Sequence, residues 1–144
     1  VWGVSLGGYY APRMVTGEHR IKACAALAGP YDWGSVWDGL PELTRRTFTF
    51  RSHLAAQDEA REAARQLSLE GRTGDIQCPM MVIFGAKDRL IPADGAQRLA
   101  DETGAYLLML PDGNHGCMNV AAKHRFKTAD WLALQLQAYI TKGE

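Results

Sequence analysis

The chain has 144 residues, of which 47% are hydrophobic, and its 16 basic and 16 acidic side chains cancel. This size suffices for one buried core, while the balanced charge and the lack of a membrane-length apolar run or leader indicate neither a nucleic-acid nor a membrane partner. Cys24, Cys78 and Cys117 are widely spaced and form no CxxC pair, which favours reduced thiols and a cytoplasmic location. We expect a single α/β domain that binds a small molecule; a homodimer is compatible with the sequence.

A serine lies between two glycines at the start of the chain, in the run Gly3-Val4-Ser5-Leu6-Gly7. The G-x-S-x-G pattern is typical of a nucleophile elbow, a strained turn from strand to helix that projects the serine hydroxyl. Glycines are expected on both sides because side chains there would clash. Ser5 is the candidate nucleophile, and the N–H of Leu6 is a candidate oxyanion-hole donor. An ordinary glycine-rich turn could carry the same letters, so the motif needs further support.

The chain after the elbow predicts a helix over residues 7–16 and a buried strand over residues 21–28. Residues 31–72 then read as helical pieces, predicted to be a lid inserted between two core strands. Within them, one apolar helix face is formed by Ala60, Ala63, Ala64 and Leu67. Trp33 and Trp37 in this insertion are candidate walls of an apolar substrate pocket, although aromatic residues there could equally serve packing.

Two further apolar runs are each followed by a polar loop. The run 79–84 predicts a buried parallel strand, and Asp88 comes just after it; a helix is predicted over residues 93–102. The run 105–110 predicts another strand, followed by a turn-rich loop in which Gly113 and Gly116 flank His115. A surface ion pair between Asp88 and Arg89 is the structural alternative for this acid.

The order Ser5, Asp88, His115 is the order of the triad in an α/β-hydrolase. A serine hydroxyl needs a base within hydrogen-bond reach, and His115 is predicted to be that base. The imidazole in turn needs a carboxylate that holds it in one tautomer, and Asp88 is predicted to be that carboxylate. Asp112, close before His115, reads better as a turn residue. His19, His53 and His124 are expected to be solvated or structural, and no recognised metal-ligand motif occurs, so neither a metal nor another cofactor is expected.

The end of the chain predicts one long helix that closes the domain. An apolar stripe is expected to pack it on the sheet, formed by Ala122, Phe126, Ala129, Ala133, Leu136 and Ile140. Only Val1 to Val4 precede the elbow, so we expect the C-terminal portion of a longer α/β-hydrolase, a doubly wound parallel sheet with a helical lid. The second oxyanion donor would then come from an earlier loop.

Several short motifs make a family resemblance specific: residues 5–11 (SLGGYYA), 20–24 (RIKAC), 76–79 (IQCP), 112–115 (DGNH) and 129–132 (ADWL). Through them the chain resembles α/β-hydrolases of the group that includes dihydroxypseudooxynicotine hydrolase and polyketide-shortening serine hydrolases. The resemblance implies the triad Ser5, Asp88 and His115 and, in that group, cleavage of a carbon–carbon bond next to a carbonyl. Such cleavage would call for a further acid; Asp32, Asp38 and Glu42 lie in the segment expected to supply it, and Asp38 is the candidate.

Three functions are therefore open. The first is a serine hydrolase that forms an acyl-enzyme with an ester or activated carbonyl. The second is a hydrolase of carbon–carbon bonds in a diketone-like or aryl-ketone substrate, with the same triad and a different leaving group. The third is a member of the fold that binds a ligand without turnover, against which the intact Ser, Asp and His argue.

Overall fold

Four short strands form one parallel sheet in which they lie side by side in chain order. The computed structural model describes residues 1–141. The two central strands are buried along their whole length, as is typical of apolar runs in a parallel sheet. The strands are β1 (Trp2–Val4), β2 (Cys24–Leu27), β3 (Met80–Gly85) and β4 (Tyr106–Leu110).

Within the described residues, six helices connect and follow these strands. They are α1 (Leu6–Val15), α2 (Trp33–Val36), α3 (Glu42–Arg51), α4 (Gln57–Arg65), α5 (Asp94–Thr103) and α6 (Ala121–Thr141). Three short 3₁₀ turns lie at Trp37–Gly39, Thr73–Asp75 and His115–Val120. The alternation of strands and helices confirms the predicted α/β class, although the second strand is shorter than the predicted 21–28. It ends at Leu27 because Ala28 takes a left-handed conformation, with φ of 51°, that no strand continues.

The segment between β2 and β3 leaves the sheet and returns to it through a narrow neck. Asp32 and Ser68 form an antiparallel bridge, the N–H of Trp33 donates to the carbonyl of Leu67 at 2.9 Å, and the N–H of Leu69 donates to the carbonyl of Tyr31 at 3.0 Å. The helices α2, α3 and α4 lie in the chain between the two ends that these bonds join. The segment is thus a helical insertion whose two ends are hydrogen-bonded to each other, and its role as a lid stays a prediction.

One carboxylate fastens this neck to the rest of the domain. Glu102 on α5 accepts hydrogen bonds from the hydroxyls of Tyr31, at 2.7 Å, and Thr73, at 2.8 Å. It also accepts from Arg98 at 2.8 Å, and the Arg98 guanidinium lies 4.2 Å from the centre of the Tyr31 ring. Burial and the bond to Glu102 raise the pKa of Tyr31 to about 12, so its hydroxyl stays a donor at neutral pH.

The long closing helix is present, but the predicted packing face is wrong. Phe126 and Ile140 from the expected stripe are 73% and 75% exposed, whereas His124 and Thr128 are 2% and 0% exposed. Trp131 and Leu132 are partly buried and continue the inward side. Periodicity identified one stripe, but α6 has apolar residues on two sides, and the side with Trp131 and Leu132 is the one that meets the core.

Candidate active site

Ser5, Asp88 and His115 come from three loops that meet at one edge of the sheet. Ser5 directly follows β1, Asp88 lies three residues beyond the end of β3, and His115 lies five residues beyond the end of β4. Because the strands are parallel, their carboxyl ends share this edge, where open α/β sheets bind their ligands. The topology therefore brings together residues that are up to 110 positions apart.

The turn at Ser5 has the strained backbone expected of a nucleophile elbow. Its φ of 56° and ψ of −122° are unusual for a residue with a side chain, and such conformations persist where the surroundings hold them. Here the N–H of Ser5 donates to the carbonyl of Leu27 on β2 at 2.8 Å, and its own carbonyl accepts from the N–H of Gly8 at 2.7 Å. Two main-chain bonds thus fix the turn, and the side-chain hydroxyl takes no part in holding it.

The two glycines of the motif differ in what they do. A Cβ at Gly3 would collide with the carbonyl of Gly7 and lie 2.9 Å from the Ala11 side chain, so the expectation that this position excludes a side chain is confirmed. A Cβ at Gly7 would meet no described atom within 4 Å, and the expected clash on that side is wrong for the part of the chain that the structure describes.

A continuous line of hydrogen bonds joins the three side chains. Ser5 Oγ lies 2.8 Å from His115 Nε2, and His115 Nδ1 lies 2.8 Å from Asp88 Oδ2. A carboxylate can only accept, so the proton belongs on Nδ1, which leaves Nε2 free to accept the proton of the serine hydroxyl. This arrangement can activate Ser5 as a nucleophile.

The Asp88 carboxylate is buried and hydrogen-bonded, although the loop sequence around it is polar. Its side chain is 1% exposed, and its Oδ1 accepts from the N–H groups of Leu90, at 2.8 Å, and Ile91, at 3.0 Å. Oδ2 is thereby left for His115. The alternative of a surface ion pair with Arg89 does not describe this carboxylate, because it is buried and its partners are main-chain N–H groups and an imidazole.

The loops that carry Asp88 and His115 are joined to each other along their main chains. The N–H of Ala86 donates to the carbonyl of Leu110, and the N–H of Lys87 donates to the carbonyl of Gly113, both at 2.9 Å. A Cβ at Gly85 would collide with Gly113 and lie 2.6 Å from the carbonyl oxygen of Asn114, so this approach requires glycine.

An exposed ion pair between the same loops accounts for the other acid near the histidine. Lys87 Nζ lies 2.8 Å from Asp112 Oδ1, and this lysine lowers the pKa of the Asp112 carboxyl. Asp112 is therefore engaged away from His115, in agreement with its expected role as a turn residue.

The amino end of α1 directly follows Ser5. Leu6 is the first residue of this helix, so its N–H has no helical acceptor four residues back. A donor at a helix amino end, next to the candidate nucleophile, suits a developing oxyanion. The geometry is compatible with the predicted role of Leu6, which stays a prediction.

Two cavities adjoin these residues. One, of about 540 Å³, opens beside His115, and its walls include Pro41, Arg89, Asn114 and Asn119. A larger one, of about 770 Å³, lies between the insertion neck and the Asp88 loop, and its walls include Tyr31, Asp32, Val36, Asp88 and Arg98. Gly39, Arg89 and Leu90 line both, so the helical insertion and the Asp88 loop together shape the space next to the triad.

The candidate substrate residues of the insertion lie elsewhere. Trp33 and Trp37 are each 3% exposed and pack against Phe48, at ring-centroid distances of 6.2 and 5.5 Å. Asp38 is exposed and forms an ion pair with Arg61. Within residues 1–141, none of these three residues lines the two cavities described above, and contacts between them and a substrate stay predictions.

Sequence reasoning missed residues that support the histidine loop. The Asn119 side chain bonds to the main chain on both sides of Gly113, and Cys117 is buried below the loop in a left-handed conformation. Burial and the nearby Asp88 charge raise the pKa of the Cys117 thiol to about 11, so it is no competing nucleophile at neutral pH. The only signal of this support in the sequence was the pair of asparagines, Asn114 and Asn119, on either side of the histidine.

The remaining histidines are not part of the hydrogen-bonded line from Ser5 to Asp88. His19 and His53 are exposed, and His124 is buried on α6. Among the residues that the structure describes, no group of three or more His, Cys, Asp or Glu side chains is placed to hold a metal ion. Within the same residues, no helix is both long enough and apolar enough to cross a bilayer.

Comparison with known proteins gives consistent relatives. The sequence profile of the prolyl oligopeptidase family matches residues 1–139. The chain is 31% identical over 135 residues to 2,6-dihydropseudooxynicotine hydrolase from Paenarthrobacter nicotinovorans, an alignment that covers 92% of this chain and 36% of that protein. The chain thus spans about a third of the length of this curated relative.

Solved structures agree with the fold. The crystal structure of the 2,6-dihydroxy-pseudo-oxynicotine hydrolase superimposes with a TM-score of 0.83 at 30% identity, covering 92% of this chain and 38% of the other. The acylaminoacyl peptidase of Pyrococcus horikoshii superimposes with a TM-score of 0.67 at 21% identity, covering 88% and 22%. The second likeness extends to the fold alone.

Proposed function

Because this chain belongs to the prolyl oligopeptidase family of the α/β-hydrolase superfamily, we propose that it carries the working triad of a serine hydrolase that acts on an ester or activated carbonyl. The observation that carries the proposal is the unbroken chain of hydrogen bonds from Ser5 through His115 to Asp88. Family membership supplies the class of enzyme, and this geometry supplies the residues.

In the proposed reaction, Ser5 Oγ attacks the substrate carbonyl carbon while His115 Nε2 takes the hydroxyl proton. Asp88 stabilises the imidazolium that forms, and the Leu6 N–H donates to the oxyanion. His115 then returns the proton to the leaving group as the tetrahedral intermediate collapses to an acyl-enzyme. Water activated by His115 attacks the acyl carbon and releases Ser5, which completes one hydrolysis.

The proposal is tested by a fluorophosphonate probe on the complete protein that contains residues 1–144. We expect one covalent adduct on Ser5, mapped by mass spectrometry, because the probe reacts with serines activated by a base. Ser5→Ala is the matched control and should fold normally, since main-chain bonds rather than the hydroxyl hold the turn. A folded wild-type protein without an adduct at Ser5 would refute the serine hydrolase proposal and favour a ligand-binding role.

Hydrolysis of a carbon–carbon bond is the second candidate. It is favoured by the 31% identity to 2,6-dihydropseudooxynicotine hydrolase. The same triad would serve, and the leaving group would be a carbanion equivalent that must be protonated as it departs. A matched ester and ketone with the same acyl group separate the two candidates: consumption of the ester with the ketone intact supports the first, and cleavage of the ketone supports the second.

A further inference from the structure

His115 sits in a loop that needs external support. The loop runs from the end of β4 to the start of α6, and Gly116 and Cys117, directly after the histidine, both have left-handed backbones, with φ of 65° and 51°. The His115 side chain is 29% exposed, so surrounding packing holds it less tightly than it holds Asp88. Its distance from Ser5 therefore depends on how the main chain around it is fixed.

Main-chain hydrogen bonds fix only part of this loop. The N–H of Gly113 donates to the carbonyl of Leu110 at 3.0 Å, and the N–H of Cys117 donates to the carbonyl of Asn114 at 2.8 Å. These bonds leave the carbonyl of Asp112 and the N–H of Asn114, which flank Gly113 just before the histidine, for another partner.

The carboxamide of Asn119 is that partner for both groups. Its Nδ2 donates to the carbonyl oxygen of Asp112 at 2.8 Å, and its Oδ1 accepts from the N–H of Asn114 at 2.9 Å. A main-chain carbonyl can only accept and a main-chain N–H can only donate, so these partners also determine which way the amide group faces. The N–H of Asn119 adds a longer contact, 3.4 Å, to Oδ1 of Asn114.

From this geometry we propose that Asn119 is a positioning residue for His115: its carboxamide clamps residues 112–114 and so keeps Nε2 within reach of Ser5. The inference rests on the proposed function, because it concerns the base of that triad. A serine hydroxyl or cysteine thiol has a single polar atom on a shorter side chain and lacks the two separate groups that reach both points, and aspartate lacks the donor. Loss of the clamp loosens the loop and lowers the fraction of molecules in which Ser5 and His115 are hydrogen-bonded.

The test is steady-state hydrolysis of an activated ester by the complete protein and its Asn119→Ala variant. We expect kcat to fall about tenfold to a hundredfold, because small misplacements of a reacting group cost rates of this order, with KM within about twofold of wild type. Met118→Ala is the matched control: it shortens an adjacent side chain that is 62% exposed, and it should change neither constant by more than about twofold. Melting temperatures establish that the compared proteins are folded.

The outcomes separate this inference from the function on which it rests. A wild-type protein that forms no adduct at Ser5 removes the proposed function itself. With Ser5 labelled in wild type, an Asn119→Ala protein with unchanged kcat overturns the positioning role, and a raised KM with unchanged kcat makes Asn119 a substrate contact instead. If Asn119→Ala does not fold, Asn119→Asp takes its place, since it keeps the size and the acceptor; a folded Asn119→Asp protein with wild-type kcat also overturns the proposal.

Discussion

At the scale of single residues, the division of the Asp88 carboxylate between two tasks is the clearest feature of the site. One oxygen accepts two main-chain N–H groups and the other faces His115 Nδ1. A carboxylate that is 1% exposed needs such partners, because an unpaired buried charge is costly. The same bonds that satisfy the charge aim its second oxygen at the imidazole.

Asp88→Asn should therefore lower kcat strongly with little loss of stability. The amide oxygen can still accept from Leu90 and Ile91, but the amide nitrogen would face Nδ1 and favour the tautomer with the proton on Nε2, which cannot accept the serine proton. The expected loss is about ten-thousandfold, the size that such a change has in the serine-protease triad. Hydrolysis kinetics with a melting curve check it, and near wild-type turnover in a folded variant would remove Asp88 from the triad.

At the scale of elements, the site depends on how closely the loops after β3 and β4 approach. Gly85 and Gly113 stand against each other, and the bonds from Ala86 and Lys87 to the second loop form only at this distance. Strand pairing continues up to Gly85 and Leu110, so the two loops leave the sheet already in register. The pairing of β3 with β4 therefore fixes the relative position of Asp88 and His115.

Gly85→Ala is expected to separate these loops. Its Cβ would meet main-chain atoms of Gly113 and Asn114, which cannot rotate away as a side chain could. We expect the free energy of unfolding to fall by about 1–3 kcal/mol, as overpacking does in well-packed cores, together with slower labelling of Ser5. Gly74→Ala is the control for denaturant unfolding, since a Cβ there meets nothing within 4 Å; equal stability of the two variants would contradict the close approach.

At the scale of the whole molecule, one buried titratable group couples the closing helix to pH. His124 on α6 is 2% exposed, and within residues 1–141 neither ring nitrogen has a partner in good hydrogen-bonding geometry. Burial is the main cause that lowers its pKa, and the Arg125 charge adds to it, while the adjoining backbone of Cys117 acts in the opposite direction. The helix that covers the sheet therefore packs best with this imidazole neutral.

Acid should weaken the fold through His124. With its folded pKa below the unfolded value of about 6.5, the stability it contributes is complete above that value and is lost as pH falls through the folded pKa. One such group changes the free energy of unfolding by at most about 1.4 kcal/mol per pH unit. Urea unfolding of wild type and His124→Leu between pH 7 and 4.5 checks this, and we expect a shallower decline in the variant. An equal decline in both would assign the acid lability to other groups.

The sequence by itself determined the order of elements and the candidate triad. Ser5, Asp88 and His115 could be selected because each has a local pattern, a glycine-flanked turn or a polar loop after an apolar run, and local patterns depend on backbone sterics and periodicity alone. The central strand β3 and the helix α5 were predicted within about one residue for the same reason.

Only the tertiary structure decided which side chains contact each other across different segments of the chain. It decided that α6 turns His124 and Thr128 inward and leaves Phe126 and Ile140 outside, that Trp33 and Trp37 pack on Phe48, and that Asn119 holds the loop before His115. Each of these depends on contacts between segments that a one-dimensional pattern does not describe. A helix with two apolar sides, or an asparagine four residues from a histidine, acquires its role only when the packing of its neighbours selects one partner over another.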